Sequence, residues 1–141
     1  MADTLLPDKW VRKAIKDAFH NSVVSGNIIP VFDMRAEGYS NPHYVLLSTQ
    51  SNVPQESKCG DGWIHNIEIQ ILTSFRINKG SRLLADLIME RLLDEIEDLT
   101  LDPASSMVIN SINRTFPGDI NDIDDSKVFY RKILRLELYI N

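Results

Sequence analysis

WIHNIEIQILTSF, residues 63–75, alternates apolar and polar side chains almost without interruption. Trp63, Ile67, Ile69, Ile71 and Phe75 fall on one side; Asn66, Glu68, Gln70 and Ser74 fall on the other. That period of two belongs to a β-strand with one dry and one wet face. At roughly 3.3 Å per residue the strand runs about 43 Å, whereas a compact domain of 141 residues is only about 37 Å across. A strand this long spans the molecule or projects from it.

Working outward, HYVLLSTQ (43–50) reads as a second strand. SNVPQESKCGDG (51–62) reads as a long polar hairpin loop joining the two, by its turn-forming residues. After Phe75 the period changes. Ser81 is placed as an N-cap, and Leu84, Leu87, Ile88, Leu92 and Ile96 recur at helical spacing, with Leu83, Met89, Leu93 and Leu99 widening the stripe.

Upstream, Pro7 opens an amphipathic helix carried by Trp10 or Val11, Ala14 or Ile15, Ala18 and Phe19, which ends before Gly26. Residues 1–7 are expected to be a flexible N-terminus. NIIPVFD (27–33) contains Pro30 and is at best an edge strand or an extended connection. MRAEGYSNP (34–42) is a loop by composition. Downstream, MVINSIN (107–113) is a short strand, FPGDINDIDD (116–125) an acidic turn, and KVFYRKILRLELYIN (127–141) another long alternating strand. On that strand Lys132 is the one polar residue on the dry side.

The order is helix, possible strand, two strands, helix, two strands. It describes a single α+β domain: an antiparallel or mixed sheet of four to five strands with two main helices on one face.

Bulk properties narrow the function. A net charge of -5 argues against broad binding of nucleic acid or an anionic membrane. Cys59 is the only cysteine, so no intrachain disulfide forms. MADTLLPDKW does not read as a secretory leader, so cytosolic synthesis is expected. His20, His43 and His65 lack zinc spacing, and Cys59 has no base nearby in sequence. DINDIDD (119–125) fails the calcium-loop pattern, with Asp124 where glycine is needed and Tyr130 where glutamate is needed. No nucleophile motif, phosphate cradle or metal set emerges. No enzyme, cofactor or metal is expected; the one dyad worth weighing is His65 with Glu68.

Charge patterning offers more. Lys9, Arg12, Lys13 and Lys16 share one face of the first helix; Glu90, Asp94, Glu97 and Asp98 form an acidic stripe on the second. Both could be plain solvated faces. The sharper reading docks copies head to tail, basic helix against acidic helix, in a heterologous contact that closes into a ring when the rotation fits.

The landmarks together carry a resemblance. An N-terminal amphipathic helix precedes Asn41, Pro42, Tyr44 and Val45 at a strand start. HNIEIQILTS then runs into SRLLADLIMERLLDEI, and VFYRKILRLELYI ends the chain. This pattern resembles the tail completion, or tail terminator, proteins of tailed bacteriophages and prophage tails. The resemblance implies a structural virion protein, assembled in the host cytoplasm and placed at the tail–head junction. It implies a homo-oligomer, a hexameric ring that ends the tail tube and meets the head-completion or connector protein. DNA would pass through an acidic lumen without sequence-specific binding, and no membrane is involved. Glu56, Asp61 and Glu68 are the lumen- or partner-facing candidates. The stretches 34–42 and 51–62 would reach neighbours. The rivals are another connector or neck-ring component, and a small binding module dimerising across its sheet. The second is weakened because the wet face shows no apolar strip and its burial would enclose Glu68, Arg131 and Arg135.

Overall fold

A computed structural model of the chain describes residues 6–33, 42–57, 60–76, 80–123 and 126–141, with the side chains of all of these except 56, 57, 60 and 61. The expected flexible N-terminus (1–7) falls largely outside the described residues, as do the loop 34–41 and Cys59.

Ten elements follow in chain order: α1 (Asp8–Phe19), β1 (Ser22–Val24), β2 (Asn27–Ile29), β3 (Val31–Asp33), β4 (Tyr44–Ser57), β5 (Gly60–Arg76), α2 (Leu83–Glu97), a 3-10 turn (Pro103–Ser105), β6 (Ile109–Ile123) and β7 (Lys127–Ile140). β1 and β2 form a separate hairpin; the main sheet has the order β3-β4-β5-β7-β6. β3 joins β4 in parallel, and every other pair is antiparallel. The fold is thus α+β with a mixed five-stranded sheet.

β5 is the centre of the sheet, paired along its length with β4 and β7. Its dry face supplies Ile67, Ile69 and Ile71, which meet Val45 and Leu47 of β4 and Leu134, Leu136 and Leu138 of β7 in one core. α1 contributes Val11, Ile15 and Phe19 to that core, and α2 contributes Ile88, Leu92 and Ile96, so both helices cover the same face. The N-cap position of α2 falls on Arg82, one residue past the expected Ser81, which lies just outside the helix with its Oγ accepting a hydrogen bond from the Leu83 amide at 3.2 Å. Leu83 itself is 62% exposed and takes no part in the stripe.

Four expectations need correction. First, α1 stops at Phe19, and the residues after it form the β1–β2 hairpin. Ser25 (φ 49°) and Gly26 (φ 80°) both sit at positive φ, the conformation of a two-residue hairpin turn. Second, the polar stretch 51–62 is mostly strand: β4 continues to Ser57 and β5 begins at Gly60, with Val53↔Ile64 and Glu56↔Asp61 in register. Backbone pairing along a hairpin overrides turn-forming side chains where the partner strand is strongly β-prone. Third, the acidic turn expected at 116–125 belongs to β6 as far as Ile123. β6 lies at the sheet edge, and a register shift between Thr115 and Gly118 accommodates Pro117, which an interior strand could not hold. Fourth, the open face of the sheet is not uniformly polar. Tyr44, Leu72, Arg131 and Ile120 form one cross-strand row; Leu46, Gln70, Ile133 and Gly118 form the next. Apolar side chains therefore do collect on that face, at the end of the sheet near Phe129.

Pro30 separates β2 from β3, and its carbonyl accepts a hydrogen bond from the Val45 amide at 2.9 Å. NIIPVFD thus divides into a hairpin strand and a short edge strand, with the proline between them.

Candidate functional site: polar clamp, charged flanks and open face

A one-residue bulge between Leu47 and Gln50 reverses the parity of β4. Before it, Val45 and Leu47 face the helices; after it, Gln50 and Asn52 do. These two amides close on the fully buried His65 of β5. Gln50 Nε2 lies 3.0 Å from His65 Nε2, and Asn52 Oδ1 lies 2.5 Å from His65 Nδ1. The neutral tautomer with its proton on Nδ1 suits both, donating to Asn52 and accepting from Gln50.

The network then reaches α1. Asn52 Nδ2 donates to the Asp8 carboxylate, Gln50 Nε2 to the Asp8 carbonyl at 3.1 Å, and Arg12 to Gln50 Oε1 at 2.5 Å. The Asp8 carboxylate stands 3.7 Å from His65 Nδ1. Burial holds the His65 pKa below its ordinary value; Asp8 pulls it up without overcoming burial, and the Arg12 charge adds to the downward shift. The arrangement clamps the start of α1 to the sheet.

Glu68 stands on the opposite face from His65, three residues along an alternating strand. Arg135 (3.4 Å) and Gln70 (3.1 Å) hold its carboxylate. The weighed His65–Glu68 dyad is therefore not assembled. Among the described residues no group of three or more His, Cys, Asp or Glu side chains is arranged to hold a metal ion.

Helix flanks hold the charges singled out from sequence, and the structure divides each set. Arg12 is bonded to Asp33 of β3 at 3.2 Å. Lys13 is bonded to Asp17 at 2.9 Å and to Asp102 at 3.2 Å. Its hydrogen bonds to these two carboxylates raise the Lys13 pKa, while the Ala104 amide and Lys13 lower that of Asp102. Lys13 thus serves the contact between α1 and the segment after α2. Lys9 lies over the Trp10 ring at 5.1 Å, and Lys16 forms no ion pair among the described residues. On α2, Glu90, Asp94, Glu97 and Asp98 are exposed and form no ion pair among the described residues. Asp98 borders an open cleft together with Lys13 and Ala14 of α1.

Of the lumen candidates, Glu68 lies on the open face with its charge countered by Arg135. The side chains of Glu56 and Asp61 lie outside the described residues. Charges of both signs share the described open face: Glu68 stands beside Arg135, Arg131 and Lys127 lie further along β7, and Glu137 accepts from the Tyr139 hydroxyl at 2.6 Å, which raises the Tyr139 pKa. The apolar end of that face forms a hollow of about 500 Å³ bordered by Tyr44, Leu72, Ile120, Phe129 and Arg131.

Lys132, the polar residue on the dry face, reaches the rim. Its ammonium meets Asp86 of α2 at 3.0 Å and Asp119 of β6 at 3.2 Å. Burial lowers the Lys132 pKa, but these two carboxylates outweigh it and the net shift is upward. Nothing in the sequence marked Asp86 or Asp119 as its partners; only the α2–β7–β6 packing does.

No protein-family model and no curated protein matches the sequence. Among solved structures, a chain from the virion of a native gene transfer agent (GTA) particle is similar in fold over 96% of this chain and 99% of its own, with a TM-score of 0.63 at 15% identity.

Proposed function

We propose that this chain is a structural protein of a phage-like virion, a ring subunit that ends the tail tube and joins it to the head connector, leaving a passage for DNA. The observation that carries this reading is the end-to-end fold likeness to a chain of a gene transfer agent virion, 96% of one chain on 99% of the other. The sequence landmarks resembling tail terminators supply the position within the particle. A subunit of this kind works by shape and contact, as an architecture of sheet edges and charged flanks allows.

The test is genetic and structural. Particles assembled without this chain should appear by electron microscopy as separate filled heads and tails, and supplying the chain should restore joined particles. Complete, infectious or DNA-transferring particles formed without it would overturn the reading.

A second reading, a dimer packed through the open sheet face, is favoured by the apolar hollow at Leu72 and Phe129. Light scattering separates the two. A dimer indifferent to salt supports the face-to-face pair, and a larger species that dissociates near 0.5 M salt, where the Debye length falls to a few ångströms, supports the charged ring.

A further inference from the structure

We infer that the contact between neighbouring copies joins the β6 side of one subunit to the β3–β4 side of the next, with the outer flank of α2 (Glu90, Glu97) against the outer flank of α1 (Lys9, Lys16). This deepens the ring reading above and rests on it only for closure of the ring.

The placement of the charges follows from their intrachain partners. Asp86 bonds Lys132 of β7, which also bonds Asp119 of β6, so the Asp86 face of α2 looks toward the β6 edge. Glu90 and Glu97 follow Asp86 by four and eleven residues and lie on that same side. Arg12 bonds Asp33 of β3, so the Arg12 face of α1 looks toward the β3 edge. Lys9 and Lys16, three before and four after Arg12, share that face. The acids and bases therefore occupy opposite flanks of one subunit, the arrangement a head-to-tail contact requires and a two-fold contact does not.

The sheet edges beneath these flanks match as well. β6 is an edge strand, exposed over nearly its whole length. At the other edge β3 covers β4 only at Val45–Leu47, so β4 beyond the bulge has one open side among the described residues. Val53, Ile64, Tyr139 and Ser111 stand level across the sheet, which puts the open part of β4 at the height of the first half of β6. Three antiparallel steps separate β4 from β6, so the two run in opposite directions. A copy related by rotation about an axis along the strands brings β6 beside β4 antiparallel. Pro54 and Pro117 each remove a backbone donor, which limits the ladder to Gln50–Val53 against the stretch near Ser111–Thr115. A ladder that short leaves the charged flanks to select the partner.

Zero-length carbodiimide cross-linking of a 1:1 mixture of unlabelled and 15N-labelled protein at low salt tests this on the native chain. Mixed-isotope links should join Lys9 or Lys16 to Glu90 or Glu97. Lys16→Glu should reduce the native links at least about tenfold, and mixing the Lys16→Glu and Glu90→Lys chains should regain intermolecular linkage. Absence of mixed-isotope links, or links confined to other surfaces, would overturn the contact. A linked ladder that stops at a fixed size supports the closed ring. One that grows without limit retains the contact and overturns ring closure.

Discussion

Gln50 Nε2 lies 3.0 Å from His65 Nε2, and the contact exists because a one-residue bulge turns Gln50 toward the helices. Without that change of parity β4 would present Thr49 at this level. The bulge thus converts a strand that begins as a core strand into the polar seat of α1.

This seat makes stability depend on pH. His65 has a folded-state pKa depressed by burial, so the unfolded chain binds its proton more readily than the folded one. Stability is then full above the unfolded value near 6.5 and falls as pH drops through that value toward the depressed folded one. The slope is at most about 1.4 kcal/mol per pH unit for one proton. His43, also depressed by burial, adds a slope of the same sign. Urea unfolding from pH 5 to 7.5 should show His65→Gln flattening the dependence in part. An unchanged slope in that variant would contradict the role given to His65.

Core and open faces of the same sheet should respond differently to truncation. Ile69 is fully buried beneath the helices, whereas Ile133 is half-buried on the open side. Ile69→Ala is expected to cost about 2–5 kcal/mol, and Ile133→Ala about 1 kcal/mol or less. Equal losses in chemical unfolding would mean that the open face is covered in the free subunit.

The Lys132 ion pairs should be asymmetric to mutation. Lys132→Ala removes two partly exposed pairs and is expected to cost about 1 kcal/mol or less. Lys132→Glu places a third carboxylate beside Asp86 and Asp119 and should lower the melting temperature clearly further. The difference between the two variants should shrink with added salt. A Lys132→Glu variant as stable as Lys132→Ala would show that the carboxylates are not held together.

Much of the framework was legible because burial leaves a periodic trace. Ile67, Ile69 and Ile71 marked β5; Leu134, Leu136 and Leu138 marked β7; Ile88, Leu92 and Ile96 marked α2. The misses share a cause: strand edges and hairpin tips carry side chains chosen for solvent, so Pro54 and the acids of DINDI read as turns although their backbones pair, and Pro117 reads as a turn although it sits in an irregularity within β6. SVVSGNII was hidden by its position behind a strong helix, although Ser25-Gly26 between apolar pairs was an available hairpin signal. The charged flanks were legible as helix faces by spacing alone. Which charges remain open was not, because Asp33 and Asp102, the partners of Arg12 and Lys13, lie far away in sequence.

Gly80 should prove irreplaceable at the turn into α2. Its φ of 80° is one that side chains rarely adopt, and a Cβ there would sit 2.1 Å from Cγ of the Phe75 ring. Phe75 is itself part of an aromatic group, 5.1 Å from the His43 ring and 6.2 Å from that of Tyr130, so it has little room to withdraw. Gly80→Ala therefore combines backbone strain with a clash against a packed ring, and a loss of about 1–3 kcal/mol is expected. Phe75→Leu removes the ring and should cost stability alone, yet in combination it should make Gly80→Ala less damaging than in the native background. A double-mutant cycle by thermal unfolding reads this coupling directly. Strict additivity would show that the strain at Gly80 is set by its backbone and not by the ring of Phe75.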